Sequence, residues 1–455
     1  MAGDALNICL TSYRGHPQSG GQGVYIRLLT RELVDMGHSV QVWSGPPYPE
    51  LFSDVDLVKV PSLDLWNEDT EGALLRFPSL EELRDPINVM EWVRTRLGEF
   101  AEPWAYCKRV ARSFREFGDE IPFDIVHDNQ SLGSGLVEMR AKVPVVATIH
   151  HPITVDRRVA LKAEWHPKKL YGLWRWYHFL PMQLKVARSL DRILTISDAS
   201  TEDIEKEFKL DRSRMRNVGN GINLDVFKPL EGITRRTNRL ITTLSHDVPL
   251  KGFTFLLEAL AVLRKQRPDL DLMVIGGNEP RDHTKEKIKE LGLTDIVKFR
   301  GRVAAEEIAR AYAEAVVAVV PSLYEGFGFP AGEAMACEVP LVSTNGGALP
   351  EVVGPDGVAA VVIEPGNVEE LVRGIGELLD ADEERRREMG RAGRRRVLEN
   401  FTWRRAAERT VECYREVIAE RAFEREGKRT WVEVASSDAA EPIAARTGNQ
   451  PLETC

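Results

Sequence analysis

The apolar run Ala315-Val-Val-Ala-Val-Val320 leads directly into Pro321-Ser-Leu-Tyr-Glu-Gly-Phe-Gly-Phe-Pro-Ala-Gly-Glu-Ala-Met-Ala336. A continuous apolar run of this length is typical of a strand that is covered on both faces of a sheet. Pro330 suits the first turn of a helix, and Gly326 and Gly328 let the loop backbone approach a ligand closely. Free N–H groups at a helix start favour phosphate. The segment therefore predicts a strand, a ligand-binding loop and a helix.

Two carboxylates lie in this same segment, at Glu325 and Glu333. Carboxylate oxygens accept hydrogen bonds from sugar hydroxyls, and here they flank a loop suited to phosphate. This combination indicates a nucleotide-sugar site. The alternative from chemistry alone is an ordinary strand-loop-helix corner with surface glutamates.

Alternation of strand and helix patterns extends from this segment in both directions. In the N-terminal half, the strand Leu6–Leu10 precedes a glycine-rich loop, Tyr13–Gly23, and a helix that ends at Gly37. In the C-terminal half, apolar strand candidates alternate with helical segments. They are 240–244, 270–275, 296–299, 316–320, 340–343 and 358–363. Such alternation predicts α/β architecture with parallel sheets, here two doubly wound Rossmann-like domains that face a cleft.

Composition narrows the class of protein. The 455 residues suffice for two domains of ordinary size, and a net charge of -9 argues against a nucleic-acid binder. Five scattered cysteines indicate a reducing compartment and no zinc site. The N-terminus lacks the features of a signal peptide, and no apolar run reaches membrane-spanning length. We therefore expect a cytoplasmic protein, or one attached peripherally to the cytosolic face of a membrane.

The segment from Pro321 to Ala336 resembles the Glu-x7-Glu signature of family 4 glycosyltransferases. Its flanks match as well, with Glu333-Ala-Met-Ala and then Pro340-Leu-Val, and the likeness extends over roughly residues 5–420. The resemblance implies the GT-B fold, in which two Rossmann-like domains face a cleft. It also implies a retaining reaction that needs no metal.

The resemblance implies a role for each residue of the signature. Glu333 would hold the nucleotide ribose, and Glu325 would lie beside the donor sugar. The amides of the intervening loop would approach the sugar and the phosphates, and these belong to Gly326, Phe327, Gly328 and Phe329.

Lys251 matches the Lys-Gly element that this family carries after the first strand of its second domain. We expect it to stabilise the departing diphosphate. The family usually has an arginine about six residues earlier, where this chain has Ser245. His246 or Arg302 could supply the second cation, and Arg302 falls where the family's backbone meets the nucleobase. Without the resemblance, the favoured explanation of Lys251 is a solvated surface lysine.

Two further positions of the N-terminal half match the family. Gly20 and Gly21, in Ser19-Gly-Gly-Gln-Gly23, resemble a glycine loop that lies across the cleft, although a bare Gly-Gly is usually only a turn. His150 follows the strand Val145–Ile149, where the family has a histidine near the donor sugar and acceptor. A neutral imidazole there could bond a hydroxyl or relay a proton. Otherwise it is a histidine satisfied at a strand end.

The segment Trp165–Phe179 is dense in aromatic and basic residues. It could dock on an anionic lipid surface. The alternative, which we favour from the sequence alone, is a core-packing helix whose cations point to solvent. We therefore expect the acceptor to be a sugar, a lipid or a small molecule, and leave membrane contact through residues 165–179 as an open alternative.

The expected organisation has four parts. Residues 1–224 form the acceptor-side domain and residues 225–400 the nucleotide-sugar domain, while 401–422 form a helix that crosses back and 423–455 a disordered tail. The predicted function is transfer of a hexosyl unit from a nucleoside diphosphate sugar, with a UDP-sugar favoured over GDP-mannose. No cofactor is expected, because the nucleotide sugar is a substrate. The alternatives are a nucleotide-sugar epimerase, a glycosyl phosphorylase or a non-catalytic sugar-nucleotide-binding protein.

Overall fold

The strand order of the two sheets determines where the predicted ligand-binding loops lie. The computed structural model describes residues 5–15, 21–63, 65, 76–118, 120–244, 248–277 and 280–438. The first sheet has seven parallel strands in the order β3-β2-β1-β4-β5-β6-β7. They are β1 (Asn7–Ser12), β2 (Ser39–Ser44), β3 (Asp56–Lys59), β4 (Ile125–Asn129), β5 (Val145–Thr148), β6 (Arg192–Thr195) and β7 (Met215–Asn217).

The second sheet has six parallel strands in the order β10-β9-β8-β11-β12-β13. They are β8 (Arg236–Thr243), β9 (Asp271–Ile275), β10 (Val297–Phe299), β11 (Ala315–Val320), β12 (Leu341–Thr344) and β13 (Val361–Ile363). In each sheet the strand order reverses beside the first strand, between β1 and β4 and between β8 and β11. Open α/β sheets bind ligands at such switch points, outside the carboxyl ends of the strands.

Sixteen helices among the described residues connect or cover the strands. They are α1 (Gly21–Asp35), α2 (Pro86–Arg96), α3 (Glu102–Glu116), α4 (Gly135–Arg140), α5 (Ile153–Ala163), α6 (Pro167–Trp176), α7 (Leu180–Ser189), α8 (Asp198–Phe208), α9 (Phe253–Leu263), α10 (Asp282–Glu290), α11 (Ala305–Glu314), α12 (Phe329–Ala336), α13 (Leu349–Val353), α14 (Val368–Asp380), α15 (Glu383–Asn400) and α16 (Trp403–Asp438).

These elements confirm the predicted α/β class with two doubly wound, parallel sheets. All six predicted strands of the C-terminal half are present, and β11 is buried along its whole length, as its apolar run requires. The region 45–118 contains β3, α2 and α3. Gly21 is the first residue of α1, so the glycine loop is shorter than predicted.

The last helix joins the core of the N-terminal sheet. Trp403, Ala407, Val411 and Tyr414 of α16 are all buried. They pack in one cluster with β1 residues such as Ile8 and with α1. α16 continues to Asp438, past the predicted end at residue 422, so the expectation of disorder from residue 423 is wrong for 423–438. Residues 439–455 lie outside the described part.

Trp403 locks the start of α16 against the segment that connects the two sheets. A Cβ atom on Gly221 would lie 2.5 Å from the Trp403 ring and backbone, so only glycine fits beneath it. Ile222 N–H donates to the Phe401 carbonyl over 2.8 Å. The Trp403 ring meets the edge of Tyr25, with centroids 5.7 Å apart. The connecting segment, the last helix and α1 therefore meet at one indole.

None of the helices that the structure describes is both long enough and apolar enough to cross a membrane.

Trp403→Ala should lower the free energy of unfolding by about 3–5 kcal/mol, because it leaves a cavity where a buried indole fills the junction. Denaturant unfolding followed by circular dichroism measures the change. Arg405→Ala, on the exposed side of the same turn, is the matched control and should stay within about 0.5 kcal/mol of wild type. Equal midpoints for Trp403→Ala and wild type would contradict this account of the junction.

Candidate active site

The switch point of the second sheet brings two loops together. The loop after β11 leads through Glu325 into α12, and a short 3-10 turn after β8, Pro249–Lys251, leads into α9. Gly252 joins that turn to α9 with a φ of +64°. A Cβ atom there would lie 1.9 Å from the carbonyl oxygen of Pro321 at the end of β11. Glycine at 252 thus lets the lysine turn lie directly against the loop that carries Glu325.

Lys251 and Glu325 form an ion pair at this junction. Lys251 Nζ lies 2.8 and 3.0 Å from the two Glu325 carboxylate oxygens. Ser322 Oγ donates to the same carboxylate over 2.6 Å. The backbone of Glu325 is held too, since Ala348 N–H donates to its carbonyl over 2.9 Å. Lys251 is therefore a fixed, largely buried cation at the carboxyl end of the sheet, and the interpretation of it as a solvated surface lysine is wrong.

Glu333 lies on α12, within the same loop-and-helix unit, but in a different electrostatic setting. None of the described residues donates a hydrogen bond to its carboxylate or pairs with it. Burial raises its pKa to about 8. Gly328, with a φ of +103°, precedes the first helical residue of α12, and its carbonyl accepts the N–H groups of Ala331 and Gly332. Pro330 has no N–H, so Phe329 supplies the remaining N–H group of the first turn. The unit thus presents an unpaired carboxyl group and a helix N-terminus beside the Lys251–Glu325 pair.

His150 is held at the carboxyl end of β5 by the loop that follows β4. Its Nε2 lies 2.7 Å from Asn129 Oδ1, and its backbone N–H donates to Gln130 Oε1 over 2.7 Å. Gln130 Nε2 donates in turn to the His151 carbonyl over 2.6 Å. An amide oxygen can only accept, so Nε2 carries the proton and Nδ1 is the basic nitrogen. Two residues therefore set both the position and the tautomer of this imidazole.

Burial and the backbone conformation of the neighbouring loop both support a neutral, oriented His150. Burial lowers its pKa to about 4, so the imidazole is uncharged at neutral pH. Gln130 and Leu132 adopt positive φ angles of 55° and 48°, which residues other than glycine rarely do. Such strain persists only where surrounding contacts determine it and is common at functional sites.

Contacts between the two sheets' domains converge on the Glu325 loop. Ser197 Oγ, at the start of α8, donates to the Gly326 carbonyl over 2.6 Å, and the Tyr324 hydroxyl donates to Asp203. In the other direction, Glu351 accepts the N–H groups of Asp198 and Ala199, each over 2.8 Å, and so caps α8.

Sequence patterns did not identify these interdomain partners. A Ser-x-x-Ser pattern at the start of α8 indicates a helix cap, and Ser197 does cap α8. Its second bond, to a loop 129 residues away, leaves no local signature.

The structure brings several predicted residues to one cleft. Gly326 approaches His150, since a Cβ atom on Gly326 would lie 3.3 Å from the His150 carbonyl oxygen. A Cβ atom on Gly21 would lie 3.8 Å from the ring of Phe329. Gly21, at the start of α1, therefore faces Phe329 at the start of α12.

Other predicted residues are placed differently or fall outside the described part. The Phe327 side chain is buried between Phe329 and Phe401, so only its backbone could reach a ligand. Arg302 is exposed after β10, with β9 and β8 between that strand and β11. Gly20, Ser245 and His246 lie outside the described residues. Within the described residues, no cluster of His, Cys, Asp or Glu side chains could hold a metal ion.

Comparison with known proteins agrees with this geometry. The family profile "Glycosyltransferase Family 4" matches residues 19–226, and "Glycosyl transferases group 1" matches residues 232–396. The chain is 45% identical over 417 residues to "MMP alpha-(1->4)-mannosyltransferase" of Mycolicibacterium hassiacum, covering 91% of this chain and 99% of that protein.

Two further similarities are more distant. Over 180 residues the chain is 34% identical to a "GDP-mannose-dependent alpha-(1-6)-phosphatidylinositol monomannoside mannosyltransferase" of Mycolicibacterium smegmatis, covering 38% of this chain and 47% of that protein. Among solved structures, sucrose-phosphate synthase of Thermosynechococcus elongatus superposes with a TM-score of 0.67 at 22% identity. This covers 91% of this chain and 100% of that one, and it shows the shared fold.

The unpaired Glu333 carboxyl group should make stability depend on pH. In the folded chain it keeps its proton up to about pH 8, whereas in the unfolded chain it loses the proton near its ordinary pKa of 4.5. The folded state therefore binds more protons between these values, and the free energy of unfolding falls as pH rises through them. Glu333→Gln should match wild type at pH 5 and exceed it by on the order of 1–3 kcal/mol at pH 8.

Urea unfolding at both pH values measures this difference. Glu388→Gln, on an exposed turn of α15, is the control and should follow wild type at both pH values. If Glu333→Gln also followed wild type at both, the Glu333 carboxylate would be better stabilised than its surroundings indicate.

Proposed function

Because the chain belongs to glycosyltransferase family 4, we propose that it transfers an α-mannosyl unit from GDP-mannose to a hydroxyl group of a mannose-containing glycan, with retention of configuration. The observation that carries this proposal is the 45% identity, over nearly the full length of both chains, to an enzyme named as an α-(1->4)-mannosyltransferase. The partial relative named as GDP-mannose-dependent supports the choice of nucleotide. The prediction from sequence, that the donor is a UDP-sugar, is tested in the donor panel described below. The relatives give no support to an epimerase, a phosphorylase or a non-catalytic binder.

The donor half of the reaction would use the second sheet's switch point. When the anomeric carbon–oxygen bond breaks, negative charge grows on the departing diphosphate. Lys251 and the N-terminus of α12 are fixed in place before the reaction, so they would stabilise that charge without reorganising. Glu325 keeps Lys251 in position and lies where the donor sugar would be. Glu333 would accept hydrogen bonds from the ribose hydroxyls.

The acceptor half would use the first sheet's switch point. His150 presents a neutral imidazole whose Nδ1 can accept a hydrogen bond from a sugar hydroxyl, because Asn129 occupies Nε2. Holding that hydroxyl near the anomeric carbon replaces a bimolecular encounter with an oriented one. Gly326 lets its loop lie close to His150, since a Cβ atom there would be only 3.3 Å from the His150 carbonyl oxygen.

A donor panel tests the proposed activity. Purified full-length protein is incubated with GDP-mannose, UDP-glucose, UDP-N-acetylglucosamine or UDP-galactose, and with short α-(1->4)-linked mannose oligomers as acceptors. We expect mannosyl transfer from GDP-mannose, and an α linkage in the product by nuclear magnetic resonance. Transfer only from UDP-sugars, or a β-linked product, would contradict the proposal.

Lys251→Met should separate chemistry from nucleotide binding. Loss of one preorganised group at a developing charge commonly reduces kcat by about 10²–10³. Binding of guanosine, which lacks phosphates, should change little. Steady-state kinetics and calorimetry measure the two effects, with Lys265→Met at the exposed end of α9 as control. Unchanged kcat in a folded Lys251→Met protein would place the essential cation elsewhere.

A further inference from the structure

The outer face of α6 carries aromatic side chains where a surface helix ordinarily carries polar ones. Pro167, Tyr171, Trp174 and His178 recur at spacings of four, three and four residues, so they lie along one side. Tyr171 is 65% exposed and Trp174 is 45% exposed. α6 contains no buried residue, so the sequence-based interpretation of a core-packing helix is wrong for it. Exposed apolar surface of this kind commonly marks a binding site.

The two outer rings are stacked and together form one exposed aromatic platform. The Tyr171 and Trp174 ring planes differ by 26°, and their centroids are 6.1 Å apart. The inner side of the helix is fixed to the loop after α2. Arg175 Nε donates to the Leu97 carbonyl over 2.8 Å, and Trp176 stacks on Phe100 with centroids 5.1 Å apart. The side of α6 opposite the platform is therefore held by the loop after α2.

The platform lies on the acceptor side of the cleft. α5 and α6 follow directly from the carboxyl end of β5, where His150 is held. Phe100, on which the inner side of α6 rests, also contacts Tyr13, the residue immediately after β1. Both connections lead to the carboxyl edge of the first sheet, which is the edge that faces the candidate active site.

The charges around the platform favour a neutral partner over an anionic surface. Arg175 is bonded to a backbone carbonyl, and Lys169 Nζ lies 3.8 Å from Glu164. The Arg96 guanidinium lies over the ring of Trp92, 5.7 Å from its centroid. These three cations are already engaged, whereas Lys168 on α6 is exposed. The chain as a whole carries a net charge of -9. Docking on anionic lipid would need a surplus of free cations at this surface.

We propose that Tyr171 and Trp174 bind sugar rings of a glycan acceptor chain at a distance from the reacting hydroxyl. The C–H face of a pyranose is apolar and packs on the negative face of an aromatic ring, while its hydroxyls stay in water. This inference rests on the proposed function, since it takes the acceptor to be a mannose-containing glycan. It makes the enzyme prefer long acceptors, because only these reach both His150 and the platform.

The test compares short and long acceptors in the double variant Tyr171→Ala/Trp174→Ala. For a mannose disaccharide we expect kcat/KM within about twofold of wild type. For an oligomer long enough to reach α6 we expect a loss of about tenfold, which corresponds to about 1.4 kcal/mol. Tyr171→Phe/Trp174→Phe, which keeps both rings, should retain the preference for long acceptors. Phe423→Ala, an exposed aromatic on α16, is the control for loss of surface area.

Binding of the same oligomers without donor, measured by calorimetry, distinguishes failure of the platform from failure of the proposed function. If no mannosyl transfer occurs but the long oligomer binds the wild type about tenfold more tightly than it binds the double alanine variant, the platform stands and the donor assignment fails. Equal affinity of the two proteins for the long oligomer overturns the platform. So does an equal loss of kcat/KM with both acceptor lengths. Co-sedimentation with anionic vesicles that the double variant abolishes, without any effect on oligomer binding, would replace the glycan with a membrane.

Discussion

The hydrogen bond between His127 and Tyr414 connects the last helix to the strands that hold the acceptor side of the site. Tyr414 Oη lies 2.5 Å from His127 Nδ1, and His127 Nε2 lies 2.7 Å from Thr148 Oγ1. Burial lowers the pKa of His127 to about 3, so the ring is neutral and can both donate and accept within this chain. Thr148 continues the chain to the Tyr25 hydroxyl over 3.0 Å, and the Tyr25 ring meets the edge of His150. Since unpaired polar groups in such a core are costly, α16, β4, β5 and α1 must assemble together for His150 to take its position.

Glu325 and Glu333, the two glutamates of the signature, differ in whether a cation lies beside the carboxyl group. Glu325 has a lysine and a hydroxyl group at hydrogen-bonding distance, which satisfy its carboxylate oxygens. Glu333 has no such partner among the described residues, and its pKa rises to about 8. A ribose diol would donate hydrogen bonds to Glu333 and so favour the carboxylate. Nucleotide binding would then be coupled to release of a proton, and affinity should increase with pH up to about 8 for this physical reason.

Much of the fold could be predicted because its signals are local. The buried run of β11, the glycines beside it and the strand-helix alternation all act over a few residues, and they predicted the second sheet strand by strand. β3 and β7 were missed, since Asp56–Lys59 and Met215–Asn217 are too short and too polar to stand out. The packing of α6 was misjudged because a helix with aromatics on both sides has no periodic contrast to show which side is buried. The Lys251–Glu325 pair was missed as a pair, since two strand ends 74 residues apart meet only through sheet order.

The interdomain contacts explain why the signature loop alone is not a complete site. Tyr324 and Gly326 flank Glu325, and each bonds to α8 or its cap in the first domain. Glu351 of the second domain accepts two N–H groups at the start of the same helix, so four bonds join α8 and its cap to the elements around Glu325. Separation of the domains would break all four together and leave the N-terminus of α8 without its carboxylate. The position of Glu325, and through it that of Lys251, therefore depends on the first domain as well as on the sheet that carries both residues.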